Sequence, residues 1–210
     1  SDHEIFLREL ISNATDATLK LKHLSNLGEA TGEVGDPIIE IKLDKENKTL
    51  HIIDQGIGMS SEEVEKYINQ VAFSGAEEFL EQYKDSAADS GIIGHFGLGF
   101  YSAFMVAEKV ELITKSFKDE PAAHWTCDGS PEFTLVPHDK TERGTEIILH
   151  IAEDSVEFLE NSKITELLNK YNKFMPVAIK FGTKEETLPI PEGAPEGTEE
   201  EKVSVDNIVN

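Results

Sequence analysis

Glu9, Asn13, Asp16 and Lys20 are spaced by four, three and four residues, and Leu10, Ala14, Ala17, Leu21 and Leu24 follow one position behind them. At about 100° of rotation per residue of helix, the first set makes a polar line and the second an apolar stripe beside it. This pairing constrains the fold more than any other feature of the chain. The stripe has to be covered by another layer, and the line of acid, amide, acid and amine then lies along the edge of that contact. Asn is a modest helix former, so a solvated helix face has no need of Asn13. A carboxylate and an amide one turn apart at the margin of a buried face read either as a site or as a polar flank.

The remaining elements suggest what covers the stripe. Ser1 with Glu4 reads as a capping box opening this first helix, which runs to about Leu24. A Gly-rich acidic loop, Ser25 to Pro37, leads to a strand over 38–43, a turn at 45–48 and a partner strand over 49–53. Ser60 with Glu63 is a second capping box, for a helix to about Val71, and a short helix follows Ser74-Gly75 to about Tyr83. The apolar run from Phe100 to Ala107 reads as a buried helix. Strands are expected at 109–116, 124–128, 132–136 and 145–151, a helix at 164–174 and a last strand at 177–181. Helices mixed with hairpin-connected strands indicate the α+β class: a two-layer sandwich with one largely antiparallel twisted sheet and helices on one face. From Thr183 three prolines and the run Glu199-Glu200-Glu201 read as a flexible acidic linker. The expected division is therefore a domain over 1–183 and a linker over 184–210 toward a further domain. Opening on Ser1, with a helix starting almost at once, the chain reads as a piece of a longer protein.

The chain carries 19 basic and 41 acidic residues, a net charge of −22 over 210 residues. Such a chain repels nucleic acid unless its basic residues cluster, and no basic cluster is visible. No apolar run is long enough to cross a membrane. With Cys127 the only cysteine, an intrachain disulfide is impossible, which suits a reducing compartment. Cys127 itself reads as a small buried hydrophobe beside Trp125.

Two glycine motifs carry the chemistry. Asp54-x-Gly56-x-Gly58 stands at a strand end, where glycines allow close approach to the backbone. A carboxylate there can accept a hydrogen bond from an exocyclic amine such as adenine N6, although for this motif alone a simple Asp-Gly turn is the commoner explanation. Gly94-x-x-Gly97-x-Gly99 precedes the apolar run and can present a nest of N–H groups to phosphate, or form a plain flexible loop. Its order differs from G-x-G-x-x-G, and no Gly-Lys dipeptide occurs, so a P-loop is excluded. The histidines show no metal-ligand spacing.

Together, in this order, the three segments resemble the ATP-binding domain shared by gyrase, the ninety-kilodalton heat-shock chaperones, histidine kinases and the mismatch-repair protein MutL (the GHKL, or Bergerat, fold). Arg8-Glu9-Leu10-Ile11-Ser12-Asn13-Ala14-x-Asp16-Ala17, Asp54-x-Gly56-Ile57-Gly58-Met59, Gly94-x-Phe96-Gly97-x-Gly99-Phe100-Tyr101-Ser102-Ala103 and Arg143-Gly144-Thr145 are closest to the chaperone branch in its bacterial form. The resemblance covers about 1–181. It implies that the chain binds ATP or ADP with Mg²⁺, and that hydrolysis drives a dimeric clamp acting on client proteins in the cytoplasm. It makes Glu9 the general base and Asn13 the ligand of Mg²⁺ beside the phosphates. Asp54 becomes the adenine reader, helped by Thr145 through water. Gly58 and Met59 line the base pocket, and Gly97, Leu98, Gly99 and Phe100 cradle the phosphates through their backbone. Asp16 and Lys20 continue the site face, and 74–98 resembles a mobile lid. Departures are Phe73 where Lys is common, His95 for Gln and Leu98 for Val, and a family strand preceding the first helix is missing. The alternatives are a DNA-acting ATPase of the gyrase or MutL type, which the net charge opposes, and a nucleotide-binding module without turnover.

Overall fold

The computed structural model describes residues 2–30, 32, 34–69 and 99–210. Its elements in chain order are α1 (Ile5–Asn26), β1 (Ile39–Asp44), β2 (Thr49–Asp54), α2 (Ser61–Val64, continued by a π turn over Glu65–Asn69), β3 (Ala107–Lys115), β4 (Ala122–Cys127), β5 (Phe133–His138), β6 (Gly144–Ile151), α3 (Asn161–Tyr171), β7 (Ile179–Thr187) and β8 (Lys202–Ile208). The strands form one sheet in the order β5-β4-β3-β6-β2-β1-β7-β8. The β1–β7 pair is parallel and all others are antiparallel. This is the expected α+β sandwich.

The alternation of side chains along a strand decides which face is covered. On β2, β3, β4 and β6 the buried set includes Leu50, Ile52, Val110, Leu112, Trp125, Cys127, Ile147 and Leu149, and it meets α1 through Phe6, Leu7, Leu10 and Ile11. The opposite face carries polar side chains paired with one another, such as Glu111 between His124 (2.9 Å) and His150 (2.7 Å). Helix α1 lies against the sheet on the stripe read from the sequence and touches α3 on a second flank; within it, Thr15 and Thr18 turn their hydroxyls back onto the carbonyls of Ile11 and Ala14, both at 2.8 Å.

Several local expectations need correction. The N-cap of α1 is Glu4, and no side chain caps it; a 3-10 turn over Asp2–Glu4 precedes the helix. Glu4 instead reaches α3, accepting from Lys163 at 2.9 Å, Lys170 at 3.3 Å and Tyr171 at 3.3 Å. Ser1, the other half of the expected box, lies outside the described residues, and the Glu4 carboxylate is taken by partners on another helix. The Ser60–Glu63 capping box does form, with both reciprocal bonds. The buried run from Phe100 is helical only through Tyr101, tightens to a 3-10 turn over Ser102–Met105, and gives way to β3 at Ala107. Phe100 and Tyr101 are held there by edge-to-face contacts with Trp125, at 5.4 and 6.5 Å between ring centroids. In the stretch read as a flexible linker, Lys202–Ile208 is a strand paired with β7. Its side chains alternate between exposed and half-buried, so main-chain bonds hold it, and composition gave no sign of them.

Candidate functional site

Two main-chain contacts build the frame of the site. The segment after β2 turns at Gln55–Met59 and is tied on both sides: Ile57 N–H donates to the Ala17 carbonyl on α1 (3.1 Å), and Phe117 N–H donates to the Ile57 carbonyl (2.8 Å). Two glycines make this possible. A Cβ on Gly56 would lie 2.6 Å from the Ala17 carbonyl carbon, so only glycine lets this turn meet the α1 backbone. Gly58 has φ +62°, and a Cβ there would collide with the Lys115 carbonyl.

This frame encloses a cavity of about 340 Å³ between α1, the ends of β2 and β6, and α2. It is lined by Glu9, Asn13, Asp16 and Lys20 from α1, by Asp54 from β2, and by Thr145 from β6. The polar line of the helix and the Asp-Gly-x-Gly turn thus face one space, with Gly58 and Met59 in its wall. Asp16 and Lys20 are exposed at the lip. Gly99 approaches from a third direction: a Cβ there would lie 3.2 Å from Glu9 Oε2 and 3.4 Å from Asn13 Nδ2. Phe100 is fully buried, with its ring against Trp125. Gly97, Leu98, Phe73, His95 and the expected lid lie outside the described residues.

Electrostatics single out Asp54. It is 7% exposed, and burial pushes its carboxyl up to about 7, against the pull of the Gly56 and Thr145 backbone N–H groups and of Lys140. The Gly56 N–H bond to Oδ1 measures 2.9 Å. Asp54 stands opposite Thr145 in the β2–β6 register, and Thr145 stands opposite Thr114 in the β3–β6 register. A carboxylate held in a buried pocket with one oxygen tied down is set to accept from a donor on a flat ligand. Glu9, 19% exposed, is paired with Arg8 at 3.0 Å.

The residues suit a magnesium nucleotide. Among the described residues, no group of three or more His, Cys, Asp or Glu converges on a metal position. The single amide of Asn13, beside the close backbone of Gly99, fits an ion that keeps most of its shell from water and ligand phosphates.

A family model described as histidine kinase-, DNA gyrase B- and HSP90-like ATPase matches residues 2–161. This chain belongs to that ATPase family. Among individual relatives, it is 62% identical over 187 residues to the chaperone protein HtpG of Bacteroides thetaiotaomicron, covering 89% of this chain and 27% of the relative. It is 43% identical over its whole length to the chaperone protein HtpG of Campylobacter jejuni, covering 34% of it. It is also 43% identical to the endoplasmin homolog of Dictyostelium discoideum, over 89% of this chain and 25% of the relative. The chain thus spans about a quarter to a third of the length of these relatives.

As a member of the HSP90-like ATPase family, the chain shows how much of its pocket the motifs left out. Ile52 and Ile147 supply apolar walls beside the motif's own Ile57, and Glu63 and Tyr67 of the α2 region complete the lining. Ile52 and Ile147 were legible only as strand residues, and which face of the sheet they present depends on register. Tyr67 sat in an unremarkable helical pattern. No described helix is long and apolar enough to cross a membrane.

Proposed function

We propose that this chain is the nucleotide-binding domain of a chaperone ATPase: it binds ATP or ADP with Mg²⁺, and in the whole protein hydrolysis drives a dimeric clamp acting on client proteins in the cytoplasm. The observation that carries this reading is the meeting of α1's polar line with Asp54 and Thr145 around one cavity. The similarity to HtpG chaperones supports the chaperone branch over the DNA-acting one, as does the net charge of −22.

In this reading Asp54 accepts the exocyclic amine of adenine and Thr145 assists. Met59 and the isoleucine walls sandwich the base, which turns the phosphates toward Asn13 and the backbone of 97–100. Asn13 would hold Mg²⁺, whose bound charge offsets that of the phosphates. Glu9 reaches the same end of the cavity and is the side chain placed to accept a proton from attacking water, a contribution of about 10²–10⁴-fold. Asp16 and Lys20 at the lip contact the ribose or phosphate edge.

Titration calorimetry of the chain with ADP and Mg²⁺ tests the reading. Wild-type protein binds, and Asp54→Asn abolishes binding while leaving the circular dichroism spectrum unchanged. Equal affinity in both proteins would refute the adenine-reading role.

A further inference from the structure

Thr114 on β3 is fully buried beneath the pocket and belongs to none of the motifs. Its Oγ1 has two partners among the described residues. The Met59 backbone N–H donates to it at 2.9 Å, and the Thr145 Oγ1 lies 2.8 Å away. A threonine hydroxyl offers one proton and two lone pairs. Met59 occupies one lone pair. If Thr145 were the donor of the second bond, Thr114 would accept twice, and its own proton would be buried with no acceptor among the described residues. A buried donor without a partner is strongly disfavoured. If Thr114 donates, every group in the chain from Met59 to Thr145 is satisfied. The Thr145 proton is then left for the cavity that Thr145 lines.

We propose that Thr114 is a positioning residue for purine selection: it keeps the Thr145 proton free to donate toward the ligand and pins the Gly58-Met59 turn with the same oxygen. Resting on the nucleotide reading above, this sets the pocket's polarity as an acceptor at Asp54 beside a donor at Thr145. That pair complements the donor-then-acceptor edge of adenine, its amine followed by ring N1. It opposes the edge of hypoxanthine, whose carbonyl would face the Asp54 carboxylate. Geometry favours Thr114 over a solely structural hydroxyl because its register partner is the cavity-lining Thr145 itself.

The test compares ADP with inosine diphosphate by calorimetry, in the presence of Mg²⁺, for wild type, Thr114→Val, Thr114→Ser, Thr145→Val and the double valine variant. Thr114→Val is expected to reduce the preference for ADP over inosine diphosphate about tenfold, and Thr114→Ser to restore it. In the Thr145→Val background, adding Thr114→Val leaves the preference unchanged. Equal weakening of both ligands by Thr114→Val would overturn the proposal, since loss of the Met59 anchor alone acts on both alike. Wild type that binds neither diphosphate would overturn the nucleotide reading itself, and this proposal with it. A second measurement needs no variant. In wild-type protein, NMR should show a Thr114 hydroxyl proton protected from exchange, with a cross-peak to the Thr145 methyl. A protected hydroxyl proton on Thr145 directed at Thr114 would overturn the assignment.

Discussion

Asp54 makes nucleotide binding depend on pH in a way that can be worked out in advance. Its carboxyl is raised from 3.8 to about 7 by burial. If only the ionised form accepts the adenine amine, apparent affinity weakens by a factor of one plus ten to the power of pKa minus pH. Lowering pH from 8 to 6 should therefore weaken ADP binding about tenfold. The terminal phosphate titrates near the same range, at about 6. The assay therefore compares ADP with purine riboside diphosphate, which lacks the amine, and the ratio isolates Asp54. The same group shapes the unliganded fold with the opposite sense. Because the folded state holds this proton more tightly than the unfolded chain, its contribution is fully present below about 4 and is lost as pH rises through about 7. The shift is roughly three pH units, and at about 1.4 kcal/mol each the loss is at most about 4 kcal/mol. Urea denaturation of ligand-free wild type should show stability falling across this window, and in Asp54→Asn that decline should be absent. A ligand ratio that stays flat from pH 6 to 8, together with identical stability profiles for the two proteins, would refute the reasoning.

Further outcomes follow from other contacts. In the whole protein, Glu9→Ala should bind ATP as wild type does and lose about 10²–10⁴-fold in turnover; steady-state phosphate release with parallel binding measurements checks both halves. Gly56→Ala drives a methyl into the α1 backbone. It should destabilise the chain by about 1–3 kcal/mol in urea and weaken ADP binding, so a variant within experimental error of wild type would count against the frame. The hydrogen bond and ion pair from Lys163, reinforced by Lys170, hold the Glu4 carboxyl down to about 2. That contribution is present above about 4.5 and lost as pH falls toward 2, so acid unfolding of Glu4→Gln should begin at higher pH than in wild type.

Much of the fold and the frame of the site was legible because the deciding patterns are local. The spacing of Leu10, Ala14 and Leu21 fixed the buried side of α1, and Ser60 with Glu63 fixed the start of α2. The convergence of Glu9, Asn13 and Asp54 on one cavity was implied by the family resemblance of the motifs, not by any one of them alone. What escaped was set by distant partners. Glu4 looked like half of a cap, but two lysines and a tyrosine more than 150 residues along the chain claimed its carboxylate. Strand β8 carries little apolar signal and exists through its ladder with β7. Thr114 showed nothing beyond β-branched strand character until the register placed it under Thr145.

The bond from Ile57 to Ala17 and the missing Cβ of Gly56 have a practical reach. They clamp two backbones together with no intervening side chain to rearrange. That jaw of the cleft has a set gauge, so molecules that differ in thickness are sorted there by rigid fit instead of accommodation. Chemical series aimed at the pocket should meet a sharp size limit against α1.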